Sequence, residues 1–212
     1  ESSDVKAVGG TPYNVAVSTN DIERYFAEDV PNAKKWVRSL PGGDALDRLR
    51  CDLDDAWPGG CSAKKDGEGR AHHVGLGRVM AGPTQWSQGF VHVDELAPMS
   101  PSKGHFSANL YLKLPSEGGH LELWPLQFES RWEFYTNAHT LSKLVSIDEE
   151  AQRELRARLP PPIVLEVAPG DLVMLSVQRP HAVQGWTSGD SRASLQSFVN
   201  FAGDDAALTL EA

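Results

Sequence analysis

Positive charge is scarce in this chain. Twenty Lys and Arg residues stand against 29 Asp and Glu among 212, a formal charge of −9, and no basic run exceeds the pairs Lys34-Lys35 and Lys64-Lys65. Such a surface offers no stripe of cations to phosphates, which excludes nucleic acid and anionic membrane as expected partners. Long apolar runs are missing as well: nothing approaches the roughly 18 consecutive apolar residues needed to span a bilayer. The opening ESSDVKAVGG has neither the charged nor the apolar region of a signal peptide, so the expectation is a soluble, cytoplasmic protein, while the missing initiator Met leaves room for a segment upstream. Cysteine is limited to Cys51 and Cys61, on either side of the turn-rich DLDDAWPGG. A domain of this size needs no staple, so two free thiols are preferred to a disulfide, and two ligands are too few for a zinc site. There is no internal repeat and no low-complexity tract.

What is present divides into two textures within one expected domain, 1–212, whose 40% apolar content is enough for a single core. Residues 1–70 read as helical support followed by a loop. Ile22, Tyr25, Phe26 and Val30 recur at helical spacing, Asn32 is placed to cap a helix burying Trp36, Val37 and Leu40, and Asp44 to cap another carrying Leu46 and Leu49. Trp57 to Arg70, WPGGCSAKKDGEGR, has too few apolar residues to bury and reads as a surface loop. From His72 onward come short apolar runs divided by Gly and Pro turns: HHVGLGRVM, WSQGFVHVD, HFSANLYLKL, HLELWPLQF, PIVLEV, DLVMLSV, HAVQGW and RASLQSFVNF. That spacing predicts an antiparallel sandwich or barrel. A helical insert at about 127–160 interrupts it, with Ser146 and Glu149 fitting a capping box before EEAQRELRARL.

Within the β region, His92 and Asp94 are two apart in VHVDEL, so on a strand both side chains leave one face. His181 follows DLVMLSV and the turn QRP. Two imidazoles and one carboxylate in this arrangement make the facial set that binds non-haem Fe(II) and leaves three positions open. H-x-D alone is common, and a surface pair on an edge strand is the competing reading. Arg192 and Ser194, eleven and thirteen residues after His181, share a strand face, and a guanidinium with a neighbouring hydroxyl suits a carboxylate.

The order of His92-x-Asp94, SANLYLKL, EGGHLELWP, VLEVAPGDLVMLSVQRPHAVQGW and SRASLQSFVNF, over about residues 72–202, resembles the Fe(II)- and 2-oxoglutarate-dependent oxygenases, in particular their prolyl-4-hydroxylase-like branch. The resemblance implies a mainly β fold with flanking helices, a double-stranded β-helix or jelly roll of cupin type, with its catalytic core at 71–202. It implies that His92, Asp94 and His181 hold Fe(II). It also implies that Arg192 pairs with the distal carboxylate of 2-oxoglutarate, beside Ser194 and Tyr111. Strand geometry points Asn109 the same way as Tyr111. Lys113 stands where that branch often has Asn and is read as pointing outward. Relatives that halogenate have Gly or Ala in place of the carboxylate, so Asp94 implies hydroxylation or another oxidation, such as desaturation or cyclisation, rather than halogenation. The resemblance implies that dioxygen is consumed, that succinate and CO2 are released, and that ascorbate serves as a reductant.

The substrate is expected to be a small molecule, an amino acid or natural-product intermediate. Hydroxylation of prolyl or other residues in a protein is the alternative within enzymes, and a non-catalytic jelly-roll binding module the alternative outside them. Candidate substrate contacts are Trp86 and Gln88, which share the face of His92 if Gly89 introduces no bulge, together with Arg78 and Arg131. His72, His73, His105, His120 and His139 lack an acidic partner at ligand spacing and read as structural, and Trp124 as core.

Overall fold

Alternation along the chain explains most of the architecture in the computed structural model, which describes residues 5–42, 44–86, 88–96, 100, 103–128, 130–144, 146 and 148–212. The chain begins with β1 (Val5–Val8), α1 (Tyr13–Ser18), α2 (Ile22–Arg24), a π turn over Tyr25–Asp29, α3 (Val30–Ser39) and α4 (Ala45–Ala56). Next come β2 (Cys61–Ala63), β3 (Leu76–Ala81), β4 (Gly104–Lys113) and β5 (Leu121–Leu123). The helical insert holds α5 (Arg131–Thr136), α6 (Ala138–Lys143) and α7 (Glu149–Arg158), and β6 (Ile163–Leu165), β7 (Leu172–Ser176), β8 (His181–Val183), β9 (Ser191–Phe201) and β10 (Leu208–Glu211) complete the order.

The strands form two sheets. The larger runs β1-β3-β9-β10-β2, with β4 along the other edge of β9 and β7 beyond β4; the smaller is β6-β5-β8. Every pairing is antiparallel except β10 with β2. Because side chains alternate along a strand, β9 presents Leu195 and Val199 to one side and Arg192, Ser194, Gln196 and Phe198 to the other. The apolar side packs with Ala108, Leu110, Leu208 and Leu210 under α3 and α4, which contribute Trp36, Val37, Leu46, Leu49 and Leu53. Each such aliphatic side chain contributes about 1.5–3 kcal/mol through burial. A second core, Val91, Val93, Trp124 and Ala182 with Leu141, Leu144 and Leu155, fixes the insert helices to the smaller sheet. The remaining face of the larger sheet is polar and surrounds a cavity.

Several local expectations change. Asn32 caps nothing: α2 runs through the π turn into α3 with Pro31 at its first turn. Pro31 lacks the N–H that an uninterrupted α-helix would use, and a π turn immediately before it absorbs the misfit. Asp44 does precede α4, but its side chain makes no cap; the turn closes through the Ala45 N–H to Gly42 O at 2.9 Å. At α7 the cap is Asp148, which accepts from Ala151 N at 2.9 Å, while Ser146 Oγ accepts from Asp148 N at 3.2 Å. The Trp57–Arg70 loop contains a strand, since Cys61–Ala63 pairs with β10 and buries Cys61 in the core under α4. Both cysteines are free thiols. Among the described residues, no helix is long and apolar enough to cross a membrane.

Candidate metal centre

Seven of the eight apolar runs contain a strand, and the exception is the one carrying His92 and Asp94. Among the described residues, that segment has a single bridge to the sheet, at His181. The His92 N–H donates to His181 O at 3.0 Å and the His181 N–H to His92 O at 2.9 Å, which sets the two imidazoles side by side with ring centroids 4.4 Å apart. A further bond, Asp94 N to Val177 O at 2.9 Å, fixes the next turn of the segment. Alternation then sends Val91 and Val93 into the core of the insert, and His92 and Asp94 into the cavity.

Both histidines use the same device to aim a lone pair. Nδ1 of His92 lies 3.0 Å from Phe90 O and Nδ1 of His181 lies 2.9 Å from Arg179 O. A carbonyl only accepts, so each Nδ1 carries the hydrogen and each Nε2 is left with its lone pair. Those Nε2 atoms face one carboxylate, His92 at 3.8 Å from Asp94 Oδ1 and His181 at 3.8 Å from Asp94 Oδ2. At that distance none of these contacts is a hydrogen bond. Three electron-pair donors converging within 4.8 Å of one another repel unless a cation sits among them. Desolvation, reinforced by the adjacent His181, holds the His92 imidazole below its ordinary value and so favours the neutral form, in which Nε2 is available as a ligand. Two imidazole nitrogens and a carboxylate oxygen, with no thiolate, fit a divalent first-row metal such as Fe(II).

Across the cavity, Arg192 is nearly buried, with 6% of its surface exposed. Its Nε donates to Gly119 O at 3.1 Å, and its guanidinium lies 4.9 Å from the Tyr111 ring centroid. Gly119 has φ +72°, and a Cβ there would meet Pro115 at 2.6 Å, so glycine alone brings that carbonyl to the guanidinium. Burial pushes Arg192 below its ordinary value and Tyr111 above it, the expected response of charges moved away from water. Ser194 is opposite Tyr111 on one side and Arg78 on the other, and it is buried. Asn109 shares this face: its Nδ2 donates to Ser107 Oγ at 2.9 Å, Gln196 Nε2 donates to the same hydroxyl at 2.8 Å, and Arg78 Nε donates to Gln196 Oε1 at 2.8 Å. Lys113 points outward and reaches Ser191 Oγ at 3.0 Å.

These groups line one cavity of about 760 Å³ that includes the two histidines, Asp94, Arg192, Asn109 and Arg78. Trp86 lines it too, whereas Gln88 is exposed and outside the lining. The reason is Gly89, at φ +76° in a turn closed by its N–H to Trp86 O at 3.1 Å, which breaks the even spacing back from His92. Arg131 begins α5 fully on the surface and does not reach the cavity. Phe90 was not evident as a site residue, yet its ring stacks on His92 at 5.4 Å and lies 6.1 Å from Trp86. Gln196 and Phe198 were readable from the parity that selects Arg192 and Ser194. His105 also lines the cavity, with Nδ1 3.4 Å from Glu95 Oε2 and its ring on Phe198 at 4.9 Å. His72 and His73 are core residues among Tyr13, Tyr25 and Phe26.

No protein-family model matches the sequence, and no curated protein is significantly similar to it. Solved structures do match. An N-substituted L-amino acid dioxygenase from Burkholderia ambifaria AMMD superposes with a TM-score of 0.57 at 17% identity, covering 96% of this chain and 74% of that one. A structure of such a dioxygenase from the same organism in complex with α-ketoglutarate gives 0.51 at 15% identity, covering 99% of this chain and 86% of that one. The chain has the fold of that dioxygenase.

Proposed function

We propose that this chain is an Fe(II)- and 2-oxoglutarate-dependent oxygenase, a double-stranded β-helix that hydroxylates an unactivated C–H bond of a small molecule. The observation that carries the reading is the convergence of His92 Nε2, His181 Nε2 and the Asp94 carboxylate on one point of a cavity whose opposite wall holds a buried Arg192. His92, Asp94 and His181 would hold Fe(II), which together with 2-oxoglutarate would supply the oxidising chemistry, with dioxygen consumed, succinate and CO2 released and ascorbate as reductant.

The chain contributes geometry and a dry pocket. His92 and His181 present Nε2 to the site because their Nδ1 atoms are committed to backbone carbonyls, which fixes the orientation and tautomer of each ring. Arg192, held by Gly119 O and the Tyr111 ring, takes the distal carboxylate of 2-oxoglutarate with Ser194 and Tyr111 beside it. Asn109, joined to Arg78 through Ser107 and Gln196, continues that polar wall. Phe90 and Trp86 cover the metal side with apolar surface, which excludes water and receives the aliphatic part of the substrate. Arg78 takes an anionic group of the substrate.

A cavity of about 760 Å³ suits a cosubstrate and a small molecule together. An amino acid or natural-product intermediate fits this pairing of an apolar patch with a cation, and the dioxygenase of like fold is named for N-substituted L-amino acids. The test is Fe(II)-dependent succinate release across free and N-substituted amino acids and proline-containing peptides. Stimulation by the amino-acid class, with KM for substrate raised in Arg78→Met, is the expected result. Stimulation by peptides alone would replace it with the protein-hydroxylase reading, and no iron-dependent succinate would leave a binding module.

A further inference from the structure

We infer that the helical insert positions the metal-bearing segment, and that Gln152 is the positioning residue through which it does so. The inference rests on the metal-site reading above and concerns what holds His92 in place. The edge of this segment facing β8 is bonded at His92 and His181; the other edge has no strand beside it among the described residues. There the Gln152 side chain takes the strand's place. Its Oε1 accepts from Val91 N at 2.8 Å and its Nε2 donates to Val91 O at 2.9 Å.

A carboxamide offers one acceptor and one donor side by side, as a neighbouring strand's peptide groups do, so Gln152 closes both backbone groups of the residue next to His92. Gln152 is 3% exposed, and its Nε2 also reaches Ser146 O at 3.1 Å, which locks its rotamer. One helical turn along α7, Arg156 donates to the carbonyls of Gln88 and Gly89 and to Glu122 Oε2 at 2.9 Å. Two side chains at i and i+4 thus hold residues 88–91 as a unit. Loss of a group bonded directly to a metal-ligating side chain characteristically costs ten- to a hundredfold in metal affinity, and Gln152 acts one step further out, through the Val91 peptide, so the low end of that range is the expectation.

The test is a Mn(II) titration of the protein without cosubstrate, following free Mn(II) by its electron paramagnetic resonance signal. Gln152→Met keeps the volume and removes both bonds; it is expected to weaken binding about tenfold. Leu46→Ala, which opens the core on the far side of the larger sheet, serves as the control for general destabilisation and is expected to bind as the wild type does. Wild-type affinity in Gln152→Met, or an equal loss in Leu46→Ala at matched folded fraction, overturns the inference. Wild-type protein that binds no Mn(II) overturns instead the site reading beneath it. Should Gln152→Met fail to fold, Arg156→Gln carries the same test: weaker binding supports the inference and unchanged binding overturns it.

Discussion

The two walls of the cavity are built differently. β9, which carries Arg192, Ser194 and Gln196, is paired along both edges, with β3 and β10 on one side and β4 on the other. The segment carrying His92 and Asp94 has one bridge, two further bonds to Val177, and the side chains of α7. The wall proposed to anchor the cosubstrate is therefore part of the most extensively paired strand among the described residues. The metal wall depends on a few local contacts from an insert. Sheet pairing resists displacement cooperatively, whereas a segment held by single side chains can be loosened one contact at a time.

Four changes would sharpen or break that contrast. The largest effect is expected from His181→Ala, which removes a proposed ligand and the partner ring of His92: metal affinity should fall by at least a hundredfold and succinate release should vanish, measured by Mn(II) titration and a succinate assay. Next, Arg192→Lys keeps the charge but loses the fork, and KM for 2-oxoglutarate should rise about 10–100-fold, the equivalent of about 1.5–3 kcal/mol, with metal affinity unchanged. If metal binding fell equally, the two walls would not be independent.

Gly89→Ala is the converse. A Cβ there would lie 2.0 Å from Val183 O at a φ of +76°, so the turn before His92 must shift. A loss of about 1–3 kcal/mol in stability, with weakened metal binding and little change in KM for 2-oxoglutarate, is expected from urea unfolding and titration. The smallest effect concerns the core away from both walls. Burial holds His72 and His73 below their ordinary value, so the unfolded chain takes up protons first as pH falls through about 6.5. Stability should then decline on acidification from pH 7.5 to 5, by no more than about 1.4 kcal/mol per pH unit for each histidine. His73→Phe should flatten the slope, and an unchanged slope would assign the acid sensitivity elsewhere.

The sequence made the contrast only half visible. Arg192, Ser194, Tyr111 and Asn109 could be placed on one face because β4 and β9 are long and pair in one register from Gly104 opposite Phe201 to Tyr111 opposite Ser194, the shift coming only beyond Tyr111, before Lys113. The same rule misplaced Gln88, since Gly89 turns the chain just before His92. WSQGFVHVD has the composition of a strand, but pairing is decided by neighbours, and here the neighbour is a helix. Gln152 carries no local signal: its role exists only because the chain returns α7 to Val91 across a separation of 61 positions. Cys61–Ala63 was hidden for a like reason, its partner β10 being remote in sequence. The π turn before Pro31 reflects a local conflict resolved by tertiary packing around Tyr25.

The most direct test of the central claim needs no substrate. Under anaerobic conditions, Fe(II) and 2-oxoglutarate are added to the wild type, His181→Ala and Arg192→Lys, and the visible charge-transfer absorption of an iron-bound keto acid is followed. The account predicts a band in the wild type that requires both additions and saturates near about one equivalent of iron, as a single facial triad demands. No band should form in His181→Ala, and in Arg192→Lys the band should appear only at higher 2-oxoglutarate. A wild type without the band, or a band undiminished in His181→Ala, would contradict the assignment of His92, Asp94 and His181 as the iron site.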